Sequence, residues 1–375
     1  MKQYDLIENC KSKIENYIHL KYISLHHFRS YPKAQFAFHP QLTVIVGPNA
    51  SGKTNLVEAI SLVSTGKSFR TGKEKQLIGF GENVARVKGE IVSATPDSDY
   101  RNDEDKIEIV LAENPQGLLQ KRYLINGVFK RRSALVGIMP TVLFTPLDLA
   151  IVSGQPLDKR RFLDEVLEQT DHEYASALQQ YTKALRQRNA LLDVAQKNGR
   201  RDEERFLYWD NLLIAAGSVL TAKRQIFIDY INKKEKELFP FTLLYDPSLM
   251  SRERLLHYKD AEVGAGMTLV GPQLDDILIE TIHPVSQEPE DVKYFCSRGQ
   301  QRLVALELKK AQISYLKEQL QTHPLLVLDD IFSELDSAHI EQILHITSDL
   351  QTIITTTHRE FLGTTGNKTA VIELK

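Results

Sequence analysis

The chain has 375 residues, more than one ordinary core needs and enough for two or three domains. Hydrophobic residues make up 42% and charged residues 26%, as in a soluble globular protein, and 47 Lys+Arg against 49 Asp+Glu leave a net charge of −2. That balance excludes a globally basic nucleic-acid binder, so any such surface must be a local patch. With Cys10 and Cys296 as its only cysteines, no secretory signal in residues 1–20 and no apolar run long enough to span a bilayer, the expected compartment is the cytoplasm, with no membrane partner.

Residues 18–25 and 34–38 alternate as two paired strands around a turn at Phe28-Arg29-Ser30-Tyr31-Pro32. Leu42-Thr43-Val44-Ile45-Val46 reads as a buried strand, and residues 55–62 are good helix material. Between them lies Gly47-Pro48-Asn49-Ala50-Ser51-Gly52-Lys53-Thr54, which fits the P-loop pattern G-x-x-x-x-G-K-[ST] in the strand–loop–helix context that the pattern requires. A glycine-rich loop lets backbone N–H groups close around phosphates, and the helix after it offers its positive end to the same anion. Lys53 is expected to reach the β- and γ-phosphate oxygens, and Thr54 to ligate Mg²⁺.

The polar segment 93–105 predicts a loop, residues 107–111 and 121–125 predict another strand pair, and Asn126-Gly127 is a hairpin signal. From 158 to 239 the chain is charged with helical periodicity. Tyr174, Leu178, Tyr181, Leu185, Arg188 and Leu192 recur at steps of four and three, and Trp209, Leu213, Ala216 and Leu220 resume the spacing after a break at Asn198-Gly199. This predicts two amphipathic helices turned back on each other. Exposed lysines and arginines along these helices read, one by one, as solvating a helix face.

Ser297-Arg298-Gly299-Gln300-Gln301 opens a helix: Ser297 is a fitting N-cap and Gln300 completes a capping box. Val304, Leu308, Ala311 and Tyr315 form the apolar face that follows. Leu325-Leu326-Val327-Leu328 and residues 351–356 suit central strands of a mostly parallel sheet. Asp329-Asp330 ends the first of these, where a carboxylate points into the crevice beside the P-loop. Asp329 is placed to help hold Mg²⁺ opposite Thr54, and Asp330 to polarise the attacking water.

The order of P-loop, long insertion, Ser-x-Gly-Gln-Gln, strand with Asp329-Asp330, Ser333-Glu334-Leu335-Asp336 and Thr357-His358 resembles ABC-type ATPase heads of the SMC class, and within it the RecF family. Phe28-Arg29, the loop through Asn55, Gly66-Lys67-Ser68-Phe69-Arg70-Thr71, Arg160-Arg161-Phe162-Leu163-Asp164, and Gly271-Pro272 with Asp275-Asp276 carry the resemblance from about Ile18 to the C-terminus. It departs at His27, at Gln273-Leu274, in the segment before Tyr17, and at Phe144-Thr145-Pro146-Leu147-Asp148, which has no glutamine for the metal.

The resemblance implies an α/β fold: an ATPase head with a mixed sheet (18–155 and 263–375) interrupted by an α-helical insertion subdomain (156–262). It implies ATP and Mg²⁺ as cofactors and an ATP-dependent homodimer. Ser297, Gly299 and Gln300 of one copy would meet the γ-phosphate held by Lys53 of the other. Asp336 would lie at the seam, and His358 would sense the γ-phosphate. The implied activity is a slow, switch-like ATPase that binds single-stranded or gapped DNA in recombinational repair and helps recombinase loading with RecO and RecR. For DNA binding so implied, Lys67, Arg70, Arg160, Arg161, Lys183, Arg186, Arg188, Arg200 and Arg201 are the candidate contacts. A transport-system ATPase subunit and a non-hydrolysing scaffold are the alternatives; the helical hairpin speaks against the first, and the paired Asp329 and Asp330 against the second.

Overall fold

A computed structural model describes residues 17–70, 74–94, 103–114, 116–331, 349–357 and 369–375. His358, the 333–336 segment and the stretch preceding Tyr17 lie outside them. The chain divides into two compact units, Met1–Pro146 with Ile313–Lys375, and Leu147–Gln312.

The first unit holds two sheets. Strands β1 (Tyr17–Phe28), β2 (Tyr31–Ala37), β4 (Val84–Ala94), β5 (Asp103–Glu113), β6 (Leu119–Ile125) and β7 (Val128–Lys130) form an antiparallel sheet in the order β2-β1-β4-β5-β6-β7. Positive φ at Asn126 and Gly127 makes the tight β6–β7 turn that the dipeptide signals. Residues 93–94 and 103–105 belong to β4 and β5, which corrects the expectation of a loop across 93–105. Cross-strand pairing outweighs local polarity there, since the alternating charged residues face away from the core.

The second sheet is parallel throughout: β14 (Thr369–Glu373), β3 (Leu42–Val46), β13 (Thr352–Thr356), β12 (Leu325–Asp329) and β8 (Thr141–Phe144), in that order. The central strands β12 and β13 are buried at every position, which is why they read as continuous apolar or β-branched runs.

Helix α1 (Lys53–Thr65) buries Leu56, Val57, Ala59, Ile60, Leu62 and Val63 all round its circumference, as a helix covered on several sides must. Each large aliphatic side chain contributes about 1.5–3 kcal/mol on full burial. Beneath β4 the packing is so close that a Cβ on Gly89 would come within 2.5 Å of Val63. Gly66, at φ 71°, ends the helix. Cations then complement its negative end: Arg132 donates to the Thr65 carbonyl at 2.8 Å and Lys121 to the Gly66 carbonyl at 3.2 Å.

The second unit contains α2 (Pro156–Thr170), α3 (His172–Asn198) and α4 (Glu203–Lys233), with α3 and α4 as the expected hairpin; Gly199, in the left-handed region, caps α3. A three-stranded antiparallel sheet follows, with β10 (Asp276–Ile282) between β9 (Thr242–Asp246) and β11 (Pro289–Asp291). Two arginines are buried in this unit. Arg188 pairs with Glu262 at 2.7 Å and Asp210 at 2.6 Å and donates to Thr268 at 2.9 Å. Arg224 pairs with Asp164 and Asp275, each at 2.8 Å, and donates to the Pro272 carbonyl.

Glu262 and Arg188 are both fully buried, so Glu262→Ala strips the guanidinium of its fully buried counter-ion and leaves it only the partly exposed Asp210. The variant is expected to lose about 3–5 kcal/mol. Urea unfolding should show this as a lower midpoint with an unchanged slope.

Candidate nucleotide site

The P-loop leaves β3 and enters α1, and its glycines are dictated by contacts of the fold itself. A Cβ at Gly47 would stand 2.6 Å from Ser51 Oγ and 2.9 Å from the Leu374 carbonyl oxygen. Gly52 has φ +100°, and a Cβ there would meet the Tyr31 hydroxyl at 2.7 Å. Ala50 also adopts positive φ (66°) without being glycine, so the loop is held in a conformation that L residues avoid. Pro48, Asn49 and Ala50 form the exposed tip, while Gly52 and Lys53 are buried. Lys53 folds back on the loop, its Nζ donating to the Gly47 carbonyl at 2.6 Å and the Pro48 carbonyl at 2.9 Å. Burial lowers the Lys53 pKa, and the nearby Asp330 and Asp329 oppose that shift. Ser51 Oγ is buried with no hydrogen-bond partner.

Asp329 ends β12, almost wholly buried. Thr54 Oγ1 lies 3.5 Å from its Oδ1 across 275 residues of sequence. Burial raises the Asp329 pKa; hydrogen bonds from Thr355 and Thr54 pull the other way, Asp330 adds to the rise, and Arg70 opposes it. Thr355 was not read from the sequence as functional. Its Oγ1 donates to Asp329 Oδ1 at 2.7 Å and accepts from the Asp330 N–H at 3.0 Å, so one hydroxyl fixes both aspartates. Asp330 itself sits at φ 52°, in the left-handed region.

Glu58, one turn beyond Thr54, is a second residue that sequence reasoning missed. It is fully buried and gripped by both Arg29 nitrogens, at 2.8 and 2.7 Å, and by Ser68 Oγ at 2.5 Å. Arg70 approaches it at 3.9 Å and donates to Asn55 Oδ1 at 3.2 Å, while Asn55 Nδ2 donates to Ser30 Oγ at 2.9 Å. The Phe28-Arg29 turn and the 66–71 motif thus meet the P-loop helix through one carboxylate.

In the second unit, Ser297 and Gln300 form the capping box: Gln300 N donates to Ser297 Oγ at 3.3 Å and Ser297 N to Gln300 Oε1 at 2.8 Å. They open α5 (Arg298–Leu320). Ser297, Arg298, Gly299 and Gln300 are exposed. Gln301 is not: its Nε2 donates to the Val292, Lys293 and Cys296 carbonyls, bracing the turn before the helix. Among the described residues, a Cβ on Gly299 would have nothing nearer than Ser297 Oγ at 3.9 Å.

The geometry withdraws two candidate DNA contacts. Arg188 is fully buried, and Arg201 is 8% exposed, stacked 4.0 Å over the Phe206 ring beside Asp210. Both read as helix-surface cations only because their acidic and aromatic partners are distant or out of phase in sequence. Asp275 is likewise structural, fixed by Arg224 and by the Ser248 N–H at 2.8 Å.

The donor set in the first unit fits a magnesium nucleotide. Two glycines leave room for backbone only, a buried serine hydroxyl awaits a partner, and a hydroxyl and a carboxylate stand together as hard oxygen donors.

Residues 19–374 match the family described as RecF/RecN/SMC N terminal domain. A "DNA replication and repair protein RecF" from Moorella thermoacetica is 36% identical over 350 residues, covering 90% of each chain. A protein of the same name from Agathobacter rectalis is 35% identical, covering 90% of this chain and 92% of that protein. Among solved structures, the recombination mediator protein RecF with ATP, described as of the RecFOR pathway, superposes with TM-score 0.80 at 28% identity, covering 93% of this chain and 94% of that one. An Smc head domain from Pyrococcus furiosus shares the fold, with TM-score 0.51 at 18% identity over 92% of this chain and 91% of that one. A glycine-dictated phosphate loop, a facing aspartate and a capped serine helix, on an α/β head of this kind, place the chain in the RecF family of SMC-class, ABC-type ATPases.

Proposed function

We propose that this protein is an ATP-switched DNA-binding ATPase of recombinational repair and replication restart, working in the cytoplasm on single-stranded or gapped DNA with RecO and RecR as partners. The observation that carries the ATPase reading is the approach of Thr54 to Asp329, since only the folded parallel sheet brings hydroxyl and carboxylate to 3.5 Å. The repair assignment is supported by the names of the relatives, and those names give no support to a transport subunit.

The P-loop N–H groups and the α1 N-terminus bind the triphosphate, and Gly47, Pro48, Asn49, Ala50, Ser51, Gly52 and Asn55 shape the cradle. Lys53 exchanges its loop carbonyls for phosphate oxygens. Thr54 and Asp329 would hold Mg²⁺, which when bound would neutralise phosphate charge. Asp330, its backbone set by Thr355, orients the attacking water. Its side chain is short for that task, consistent with slow turnover. Ser297, Gly299 and Gln300 of a second copy cap the γ-phosphate. No contact among the described residues requires a glycine at 299; the close approach of an outside surface would. His358 would read the same phosphate. In this reading the head is built from 18–155 and 263–375, with 156–262 as the helical insertion. ATP favours the dimer because the dimer binds it better, and hydrolysis releases the pair.

Sedimentation with ATP, ADP or no nucleotide, repeated with gapped DNA, tests the switch. Lys53→Ala should abolish ATP binding. Ser297→Ala should bind ATP at the wild-type level yet stay monomeric, and nucleotide-driven dimerisation of that variant would rule out the shared site.

A second expectation concerns Asp329, whose folded-state pKa is raised by burial. Stability is then highest below the ordinary carboxylate range, where the group is protonated in both states, and falls as pH rises through the raised value. Asp329→Asn should therefore melt higher than wild type at pH 7 without nucleotide, the gap closing at acid pH. The same variant should lose the stabilisation that Mg·ATP gives the wild type.

A further inference from the structure

The outer face of the antiparallel sheet carries a line of cations that the nucleotide site does not use. Strand register sets Lys33 of β2 beside His26 of β1, His26 beside Arg86 of β4, Arg86 beside Val110 of β5, and Val110 beside Arg122 of β6. Their chain neighbours Ala34, Leu25, Ala85, Ile109 and Tyr123 pack into the core, so alternation turns the whole row outward. At ~4.8 Å per strand, the row runs ~19 Å from Lys33 to Arg122. The same face bears Lys88 and Lys106, and the bulge between Leu20 and Tyr22 adds Lys21.

Its carboxylates are already engaged: Glu90 by Lys88 at 3.7 Å, Glu104 by Lys21 at 2.7 Å and Glu108 by Arg86 at 2.8 Å. Lys33 and Arg122 have no ion-pair partner among the described residues, and Lys106 acts on Glu104 only at longer range, that carboxylate being already paired with Lys21. The face is therefore net positive, in a chain whose total charge is −2. At its β7 end Phe129 is 63% exposed, and the Arg122 guanidinium lies 5.9 Å from its ring. An open ring beside a cation, at the end of a cationic line, suits an unstacked base and the backbone that carries it.

We propose that this face binds a nucleic-acid strand, with Lys33, Arg86, Lys106 and Arg122 on the phosphodiester backbone and Phe129 stacking on a base. It rests on the DNA-binding reading above and gives that reading a surface. Phosphodiester is common to single strands and duplexes, and Phe129 separates them, because only an unpaired base can reach its ring.

Fluorescence anisotropy of the full chain, with single-stranded, duplex and gapped oligonucleotides between 50 and 200 mM salt, tests it. The variant K33E/K106E/R122E should bind roughly tenfold or more weakly, and its plot of log affinity against log salt should flatten by about 2 to 3. ATP binding should persist, showing the fold intact. Phe129→Ala should weaken the single strand and leave the duplex unchanged; equal losses on both would remove the ring from the site. Lys197→Glu, at an exposed lysine in the other unit, is the control for bulk charge. Wild-type affinity in the triple variant, or an equal loss in Lys197→Glu, overturns the surface and leaves the DNA-binding reading standing. If the wild type itself binds none of the oligonucleotides, both fall.

Discussion

The site depends on one register. Thr355 of β13 pairs with Ile45 of β3 on one side and with Asp329 of β12 on the other. Three parallel strands therefore end at one level, so the P-loop, the Asp329-Asp330 pair and the turn after Thr356 emerge at the same edge. The loop is pinned there from both flanks, Gly47 N donating to the Thr356 carbonyl at 3.3 Å and Leu374 N to the Val46 carbonyl at 2.8 Å. A slip of one residue would turn Asp329 to the opposite face and carry the Thr355 hydroxyl with it. Burial of both faces of β12 and β13 forbids that slip, so the packing that stabilises the sheet also aligns the chemistry.

A second constraint surrounds the P-loop helix. Glu58 is an acidic group inside the core, tolerable only because Arg29 and Ser68 satisfy it. That compensation ties the β1–β2 turn and the 66–71 segment to α1 just where the helix begins. Arg70 takes part at longer range and also lowers the pKa of Asp329, so it belongs to two electrostatic neighbourhoods. Movement of residues 66–70 would therefore be felt at Asp329 through the field of Arg70. The tight fit at Gly89 adds a mechanical link, since there the backbone of the antiparallel sheet lies directly against the Val63 side chain of α1.

The parts legible in the sequence were those whose cause is local. The P-loop glycines, the capping box at Ser297 and Gln300, the αL stop at Gly199 and the apolar runs of β12 and β13 each state their geometry within a few residues. What was missed depends on partners far along the chain. Thr355 looks like ordinary β-branched strand material, and its role exists only once β12 lies beside it. Glu58 reads as a helix-surface acid until Arg29 is folded onto it. Arg188 reads as a solvated cation because Glu262 lies far along the chain. The row from Lys33 to Arg122 has no sequence signature at all; register alone assembles it.

The glycines show where the single chain stops explaining itself. Gly47 and Gly52 are required by neighbours within the protein: a side chain at either would collide with Ser51, Leu374 or Tyr31. Among the described residues Gly299 meets no such neighbour, and it stands exposed in the first turn of a helix. No contact of the described chain explains the glycine, and the proposed shared site offers a reason. Here it lies beside an exposed serine whose hydroxyl is already oriented by the capping box, at the positive end of α5. Bare backbone, a fixed hydroxyl and a positive helix end together make a surface shaped for an anion that this copy does not supply. On the proposed shared site, the P-loop of a second copy, carrying a triphosphate, would supply one.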